Sequence, residues 1–204
     1  MSEYITSVDE LEELYGKPGA TSLEKETATI TTEYRRLIEA SPFVTIATVG
    51  SGGMDCSPKG DPPGFVRVLD ETTLAIPDRR GNNRLDSLRN LIEDPRIGLL
   101  FLIPGLGETL RVNGTARLTT DAELRQSFDI RGTLPTAVIT VAVESVYFHC
   151  SKAIIRSDLW NPERHVADSD APSCGSILAE IRAEPVNVDE IDTEYERRQL
   201  ENLY

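Results

Sequence analysis

Histidine and cysteine are both scarce in this chain, and each scarcity removes a class of function. The 204 residues include two histidines, His149 and His165, which leave little room for a Ser–His or Cys–His dyad. Three cysteines, Cys56, Cys150 and Cys174, form no CxxC pair and offer no recognisable zinc spacing, so no metal site is expected. His149 and Cys150 are adjacent, and on a strand they face opposite sides and cannot chelate one ion together. No apolar run reaches the roughly 18–20 residues that a bilayer crossing requires, and Met1-Ser2-Glu3-Tyr4 is no basic-then-apolar signal. The chain is therefore read as cytoplasmic, with incidental thiols. Gly-x-Ser-x-Gly and Walker A motifs are missing, and no Gly-x-Gly-x-x-Gly leads from a strand into a βαβ unit.

What the chain has in excess is negative charge. A net charge of −13 and a pI near 4.6 repel nucleic acid and anionic membranes, so neither is expected as a partner. Arginine outnumbers lysine 17 to 4, and any local basic cluster stands out against this field.

The length suits one domain with peripheral helices. Ser7-Val8-Asp9-Glu10 is a capping box for a short acidic helix ending by Gly16. Ile30, Tyr34, Leu37 and Ile38 mark a second amphipathic helix, closed by Ser41-Pro42. The period then shortens to two. Strands are expected over 43–49, 54–57, 65–69, 73–76, 97–103, 109–118 and 137–148, interrupted by a helix after Asn83 and another opened by Thr120-Asp121-Ala122-Glu123. Short strands joined by turns, without regular crossover helices, suggest an antiparallel barrel that closes its own edges. Residues 167–173 read as a linker loop. Beyond Ser173 helical periodicity returns, with Val188, Ile191 and Tyr195 forming a stripe expected to pack on the barrel or on a second subunit. The organisation expected is N-terminal helices over 1–40, a barrel domain over 41–160 and a helical extension over 161–204.

Three segments could carry chemistry. Arg79, Arg80 and Arg84 gather where a helix is expected to start, with Asn83 as its N-cap. Cations are unfavourable at that end of a helix dipole, and a bound phosphate reverses the sign. A solvated loop answering Asp78 and Asp86 is the alternative. The second segment, 55–68, carries Pro58, Pro62 and Pro63 and is read as a stiff connection between strands, with Ser57, Lys59, Asp61 and Arg67 as polar groups. In the third, a helix starting at Ser151 places Lys152 and Arg156 on one face, with Trp160 beyond as a core or interface anchor. A chain poor in catalytic groups yet equipped for an anion fits a protein whose reactive part is a cofactor.

The runs Ser41-Pro42-Phe43-Val44-Thr45-Ile46-Ala47-Thr48, Ser57-Pro58-Lys59-Gly60-Asp61, Gly64-Phe65-Val66-Arg67-Val68, Pro77-Asp78-Arg79-Arg80-Gly81-Asn82-Asn83-Arg84, Gly98-Leu99-Leu100-Phe101 and Glu108-Thr109-Leu110-Arg111-Val112-Asn113-Gly114 resemble the pyridoxamine 5′-phosphate oxidase-related FMN-binding proteins. The resemblance implies a mainly β (α+β) fold, a six-stranded antiparallel split β-barrel with flanking N- and C-terminal helices. It also implies a homodimer with FMN between the subunits. By the same resemblance Phe65, Val66, Arg67 and Val68 run along the flavin. Asn82, Asn83 and Arg84 hold its phosphate, and Glu108, Thr109 and Leu110 approach the ring or ribityl chain; Arg79 is expected to join the phosphate site, with Arg84 its main charge partner and Arg80 facing solvent or the acidic surface.

Departures from pyridoxamine 5′-phosphate oxidase itself concern the substrate. Gly81-Asn82-Asn83-Arg84 replaces the Ser-Arg-Lys phosphate motif, and neither His149 nor His165 has an arginine two residues before it, so the Arg-x-His substrate element is missing. The expectation is an FMN-dependent oxidoreductase, not a vitamin B6 oxidase, acting on a small molecule, with NAD(P)H as a candidate electron donor. Ser57, Lys59, Lys152, Arg156 and Trp160 are expected on the substrate side of the flavin. Surface pairing of Lys152 and Arg156 with Asp158 and Glu163 is the alternative for those two. A flavin-binding or sensory module without turnover, or a protein of this fold binding F420 or haem, remains open at this level.

Overall fold

Alternation of β-branched and small side chains makes residues 43–50 a strand whose even positions turn inward, and Val44 and Ile46 are fully buried there. The computed structural model describes residues 4–167, 170–201 and 203–204, so Asp168 and Ser169 of the expected linker lie outside the described residues. Three helices precede that strand: α1 (Val8–Tyr15), α2 (Ala20–Glu24) and α3 (Thr32–Ala40). Ser7 caps α1 as expected, but the Glu10 carboxylate turns to the Thr6 amide at 2.9 Å. The short helix α2 carries no periodic signal.

The strands are β1 (Phe43–Gly50), β2 (Gly53–Gly60), β3 (Arg67–Asp70), β4 (Thr73–Asp78), β5 (Arg96–Leu102), β6 (Thr109–Thr119) and β7 (Ala137–His149). All pair antiparallel in one sheet of order β2-β1-β5-β6-β7-β4-β3. Seven strands stand where the resemblance implied six, one for each alternating segment. The expected closure of the edges is not made by backbone pairing, because β2 and β3 remain the two ends of the ladder. Pro58 corrects a second expectation. It lies inside β2, opposite Thr45, and not in a connection. An edge strand tolerates proline because one side of its backbone needs no partner.

Register explains the core. Val44 faces Phe101, Ile46 faces Leu99, Leu99 faces Val112, and Ile139 faces Ile76, so one face of the curved sheet is a continuous apolar layer. Between the middle strands, α4 (Asp86–Glu93) packs on β1, β2 and β6, while α3 packs on β3, β6 and β7. Asn90 of α4 is buried and donates to Thr48 Oγ1 at 3.1 Å, which satisfies a polar group in that layer. On the opposite face, α5 (Ala122–Ser127) covers Ala75 and Val138 with Leu124 and Phe128. Its N-cap is Asp121, one residue later than the expected box.

Beyond β7 come α6 (Lys152–Ser157), a 3-10 turn over Pro162–Arg164, α7 (Cys174–Ile181) and α8 (Val188–Glu201). The stripe of α8 was expected on the barrel or a second subunit, but the principal neighbour of α8 is α7, and the Gly175 amide donates to the Asp192 carboxylate at 2.6 Å. No helix among the described residues is long and apolar enough to cross a membrane.

The β6–β7 ladder shifts register between Asn113 and Gly114. A Cβ built on Gly114 comes within 2.0 Å of the Ala142 carbonyl oxygen, a backbone atom that cannot swing aside. Gly114→Ala should therefore destabilise the fold by about 3 kcal/mol, the upper end of ordinary overpacking. Urea unfolding checks this; a loss under about 1 kcal/mol means that the bulge relaxes easily.

Candidate functional site

The open ends of the sheet are joined by side-chain charges. Lys59 on β2 donates to the Asp78 carboxylate on β4 at 2.6 Å. Just beyond the two strands, Arg79 Nε donates to Asp61 Oδ2 at 2.8 Å, with side-chain exposures of only 15% and 2%. The Asp61 amide donates to the Pro42 carbonyl, which ties this carboxylate to the turn before β1. Two half-buried or buried ion pairs thus clasp one end of the ladder to the other.

A cleft of about 720 Å³ lies along this seam. Lys59, Arg79, Arg80 and Arg84 line it, against Asp55, Asp78 and Asp86, a local positive excess in an acidic chain. Ser57, Asn82, Asn83, Ser87 and Ala137 complete much of its wall. Asp55 accepts from the Ser57 hydroxyl at 2.9 Å and the Ser87 hydroxyl at 2.5 Å, which ties β2 to the first turn of α4.

The loop before α4 departs from expectation. Asn83 is not the N-cap; the helix begins at Asp86 and Leu85 occupies the cap position. Asn82 accepts from the Arg84 amide through Oδ1 at 3.1 Å, a local turn that competes with helix formation. Asn83 and Leu85 then take left-handed conformations with φ of 58° and 62°. For a leucine this costs about 1 kcal/mol or more. Leu85 has no side-chain acceptor, so the first N–H groups of α4 are left without a cap on the wall of the cleft. Arg84 sits between the two strained residues, 74% exposed and paired with Asp86 at 2.8 Å. Arg80 is exposed at the cleft and has no ion pair among the described residues.

Arg79 carries the sharpest anomaly. Its Nη1 is buried and has no hydrogen-bond partner. The Tyr204 ring lies 5.7 Å from its guanidinium carbon, and the Tyr204 hydroxyl donates to Asp61 Oδ1 at 2.9 Å. Nothing in the sequence marks Tyr204 or Asp61 as a partner of Arg79, or Asp78 as the partner of Lys59.

The remaining sequence-nominated residues fall elsewhere. Phe65, Val66, Val68 and Leu110 are buried in the core, with side chains withdrawn from the surface. Arg67 donates to the Ser127 carbonyl and stacks on Phe128, 4.3 Å from its centroid. Glu108 lines a separate cavity of about 940 Å³, with Lys25, Tyr34, Leu37, Leu106 and Phe148. Thr109 lies opposite His149 on β6, and Trp160 donates to the Leu106 carbonyl at 2.7 Å, beside this second cavity. Lys152 and Arg156 are exposed on α6, and Asp158 pairs with Arg164 in their place. Near this cavity His149 stacks against Tyr147, with ring centroids 5.2 Å apart. Burial, then the charges of Arg111 and Lys25, hold its pKa below the ordinary 6.5.

The sequence profile described as pyridoxamine 5′-phosphate oxidase matches residues 30–150. No curated protein matches the chain. Among solved structures, HupZ of Group A Streptococcus is 24% identical over 57% of this chain and 91% of that one, with a TM-score of 0.47. A putative pyridoxamine 5′-phosphate oxidase from Lactobacillus delbrueckii is 23% identical over 59% and 95%, with a TM-score of 0.46. An FMN-binding protein from Syntrophomonas wolfei is 13% identical over 56% and 86%, with a TM-score of 0.42.

Two measurements test the geometry. Arg79→Ala strands the buried Asp61 carboxylate and should cost about 3 kcal/mol in denaturant unfolding, whereas Arg84→Ala should leave stability unchanged within error. Equal effects in the two variants contradict the difference in burial. His149 should titrate below 6.5 in proton NMR. Its native form then takes up a proton later than the unfolded chain, so stability is full above about pH 6.5 and falls as pH drops through the lowered native value. His149→Gln should flatten that acid limb.

Proposed function

Because the chain belongs to the pyridoxamine 5′-phosphate oxidase family, matched over residues 30–150, we propose that it is an FMN-binding flavoprotein and an oxidoreductase acting on a small molecule. The observation that carries this reading is the seam cleft, whose lining includes both Arg79, with a buried guanidinium nitrogen that has no partner, and the uncapped start of α4. Both features suit an anion, and the volume of about 720 Å³ lies within the range of cofactor pockets. A phosphomonoester with a flat heterocycle fits such a site.

Arg79, Asn82, Asn83 and Arg84 hold the phosphate in this proposal. Arg84 can exchange its exposed bond to Asp86 for a charge-assisted fork to phosphate at small cost, since exposed pairs are weak. Arg79 contributes the nitrogen that protein groups leave unserved. The strain at Asn83 and Leu85 holds the loop open toward the cleft. The side chains of Phe65, Val66 and Val68 are buried, so contact of this segment with a flat ring falls to backbone groups of the edge strand β3, of which the Val68 carbonyl already accepts from Arg35 Nη1 at 3.1 Å.

FMN, when bound, supplies the electron acceptor that this chain's own side chains lack. Lys59 is fixed by Asp78, so its role is to hold the seam and keep positive charge at the mouth. Glu108, Thr109, Leu110, Lys152, Arg156 and Trp160 do not line the seam cleft of their own chain. In the proposed homodimer all of them except the fully buried Leu110 belong to the cleft of the other subunit.

Reconstituted protein should show flavin absorption and quench FMN fluorescence. Arg84→Ala should weaken FMN about 30-fold, as expected for loss of one charge-assisted fork. A protein that takes up no FMN, or a variant with wild-type affinity, sinks this assignment. Bound flavin that is neither reduced nor turned over with NADH or NADPH would instead indicate a binding module.

A further inference from the structure

We propose that Tyr204 and Asp61 are positioning residues, which aim the Arg79 guanidinium at an anion in the seam cleft. The inference rests on the phosphate site above but concerns groups outside it. Asp61 is the fixed point, with its amide on the Pro42 carbonyl and its carboxylate 2% exposed. One carboxylate oxygen takes Arg79 Nε and the other takes the Tyr204 hydroxyl, so Asp61 is held from two sides. The Tyr204 ring lies within cation–π range of the same guanidinium. Two contacts thus hold the Arg79 guanidinium and two more hold Asp61 beneath it, while the buried Nη1 is left unserved. An unsatisfied buried donor is costly, and a fold that accepts the cost while locking the group's orientation has prepared that nitrogen for a ligand.

Tyr204 reaches the seam through its hydroxyl on Asp61. The Tyr204 pKa is raised, first by its hydrogen bond to Asp61, so the hydroxyl stays protonated and remains a donor.

The test is a double-mutant cycle with FMN and riboflavin as paired probes, since riboflavin lacks the phosphate. Tyr204→Phe should weaken FMN by roughly three- to ten-fold, the range of one lost hydrogen bond, and leave riboflavin affinity unchanged. In an Arg79→Lys background, which keeps the charge but not the fork, Tyr204→Phe should have no further effect. Multiplicative losses, or equal weakening of both probes, would mean that Tyr204 acts structurally and would overturn the proposal. In the free protein, the Arg79 Nε–H signal in nitrogen-edited NMR should exchange with water faster in Tyr204→Phe than in wild type. If that change appears while wild type binds inorganic phosphate at the cleft and not FMN, positioning stands and the flavin reading falls. An unchanged signal together with unchanged FMN affinity removes Tyr204 from any such role.

Discussion

An antiparallel sheet of seven strands that ends in two unpaired edges has to be held at those edges by something other than its ladder. Here that task falls to the Lys59–Asp78 and Arg79–Asp61 ion pairs, which join the β2 end to the β4 end across the seam. Burial makes them consequential. Exposed pairs contribute little, but a carboxylate 2% exposed must keep its partner or be stranded in a poor solvent. The apolar layer of Val44, Ile46, Leu99, Phe101, Val112 and Ile139 supplies the bulk of the folding energy and is indifferent to where the edges meet. Charges fix that meeting point.

The position of the cleft follows from this clasp. Residues needed to hold the seam are the same types needed to hold an anion, and the cleft opens where four cations outnumber three carboxylates. Lys59 is consumed by structure, Arg79 is half consumed, and Arg84 is tied only to an exposed aspartate. That gradient, from committed to exchangeable charge, separates scaffold from ligand-facing residues more clearly than residue type does. The left-handed residues around Arg84 and the uncapped start of α4 lie on the exchangeable side, where strain is tolerated because the neighbouring structure fixes it.

Much of the sheet was legible as sequence because period-two alternation is a direct imprint of having one buried face. All seven strands fall on alternating segments, with ends shifted by a few residues. The ordered runs of residues that carry the family resemblance coincide with these strands and their turns, and the family match covers 30–150. Local hydrogen-bond competition was less visible. Asn83 reads as a cap from its chemistry, yet the Asn82 side chain captures the Arg84 amide and moves the helix start to Asp86. Pro58 reads as a strand breaker until the order of the sheet shows that its strand is an edge.

Sequence alone determined the element types, the inward faces, the scarcity of catalytic side chains and the clustering of arginines before α4, because each is a property of neighbours along the chain. The pairings Lys59–Asp78, Arg79–Asp61 and Tyr204–Asp61 were decided by tertiary structure. They join residues 18 to 143 positions apart. No local period or propensity links such positions. They meet because the curved sheet brings the ends of β2 and β4 together, and burial at that seam turns ordinary surface charges into a clasp.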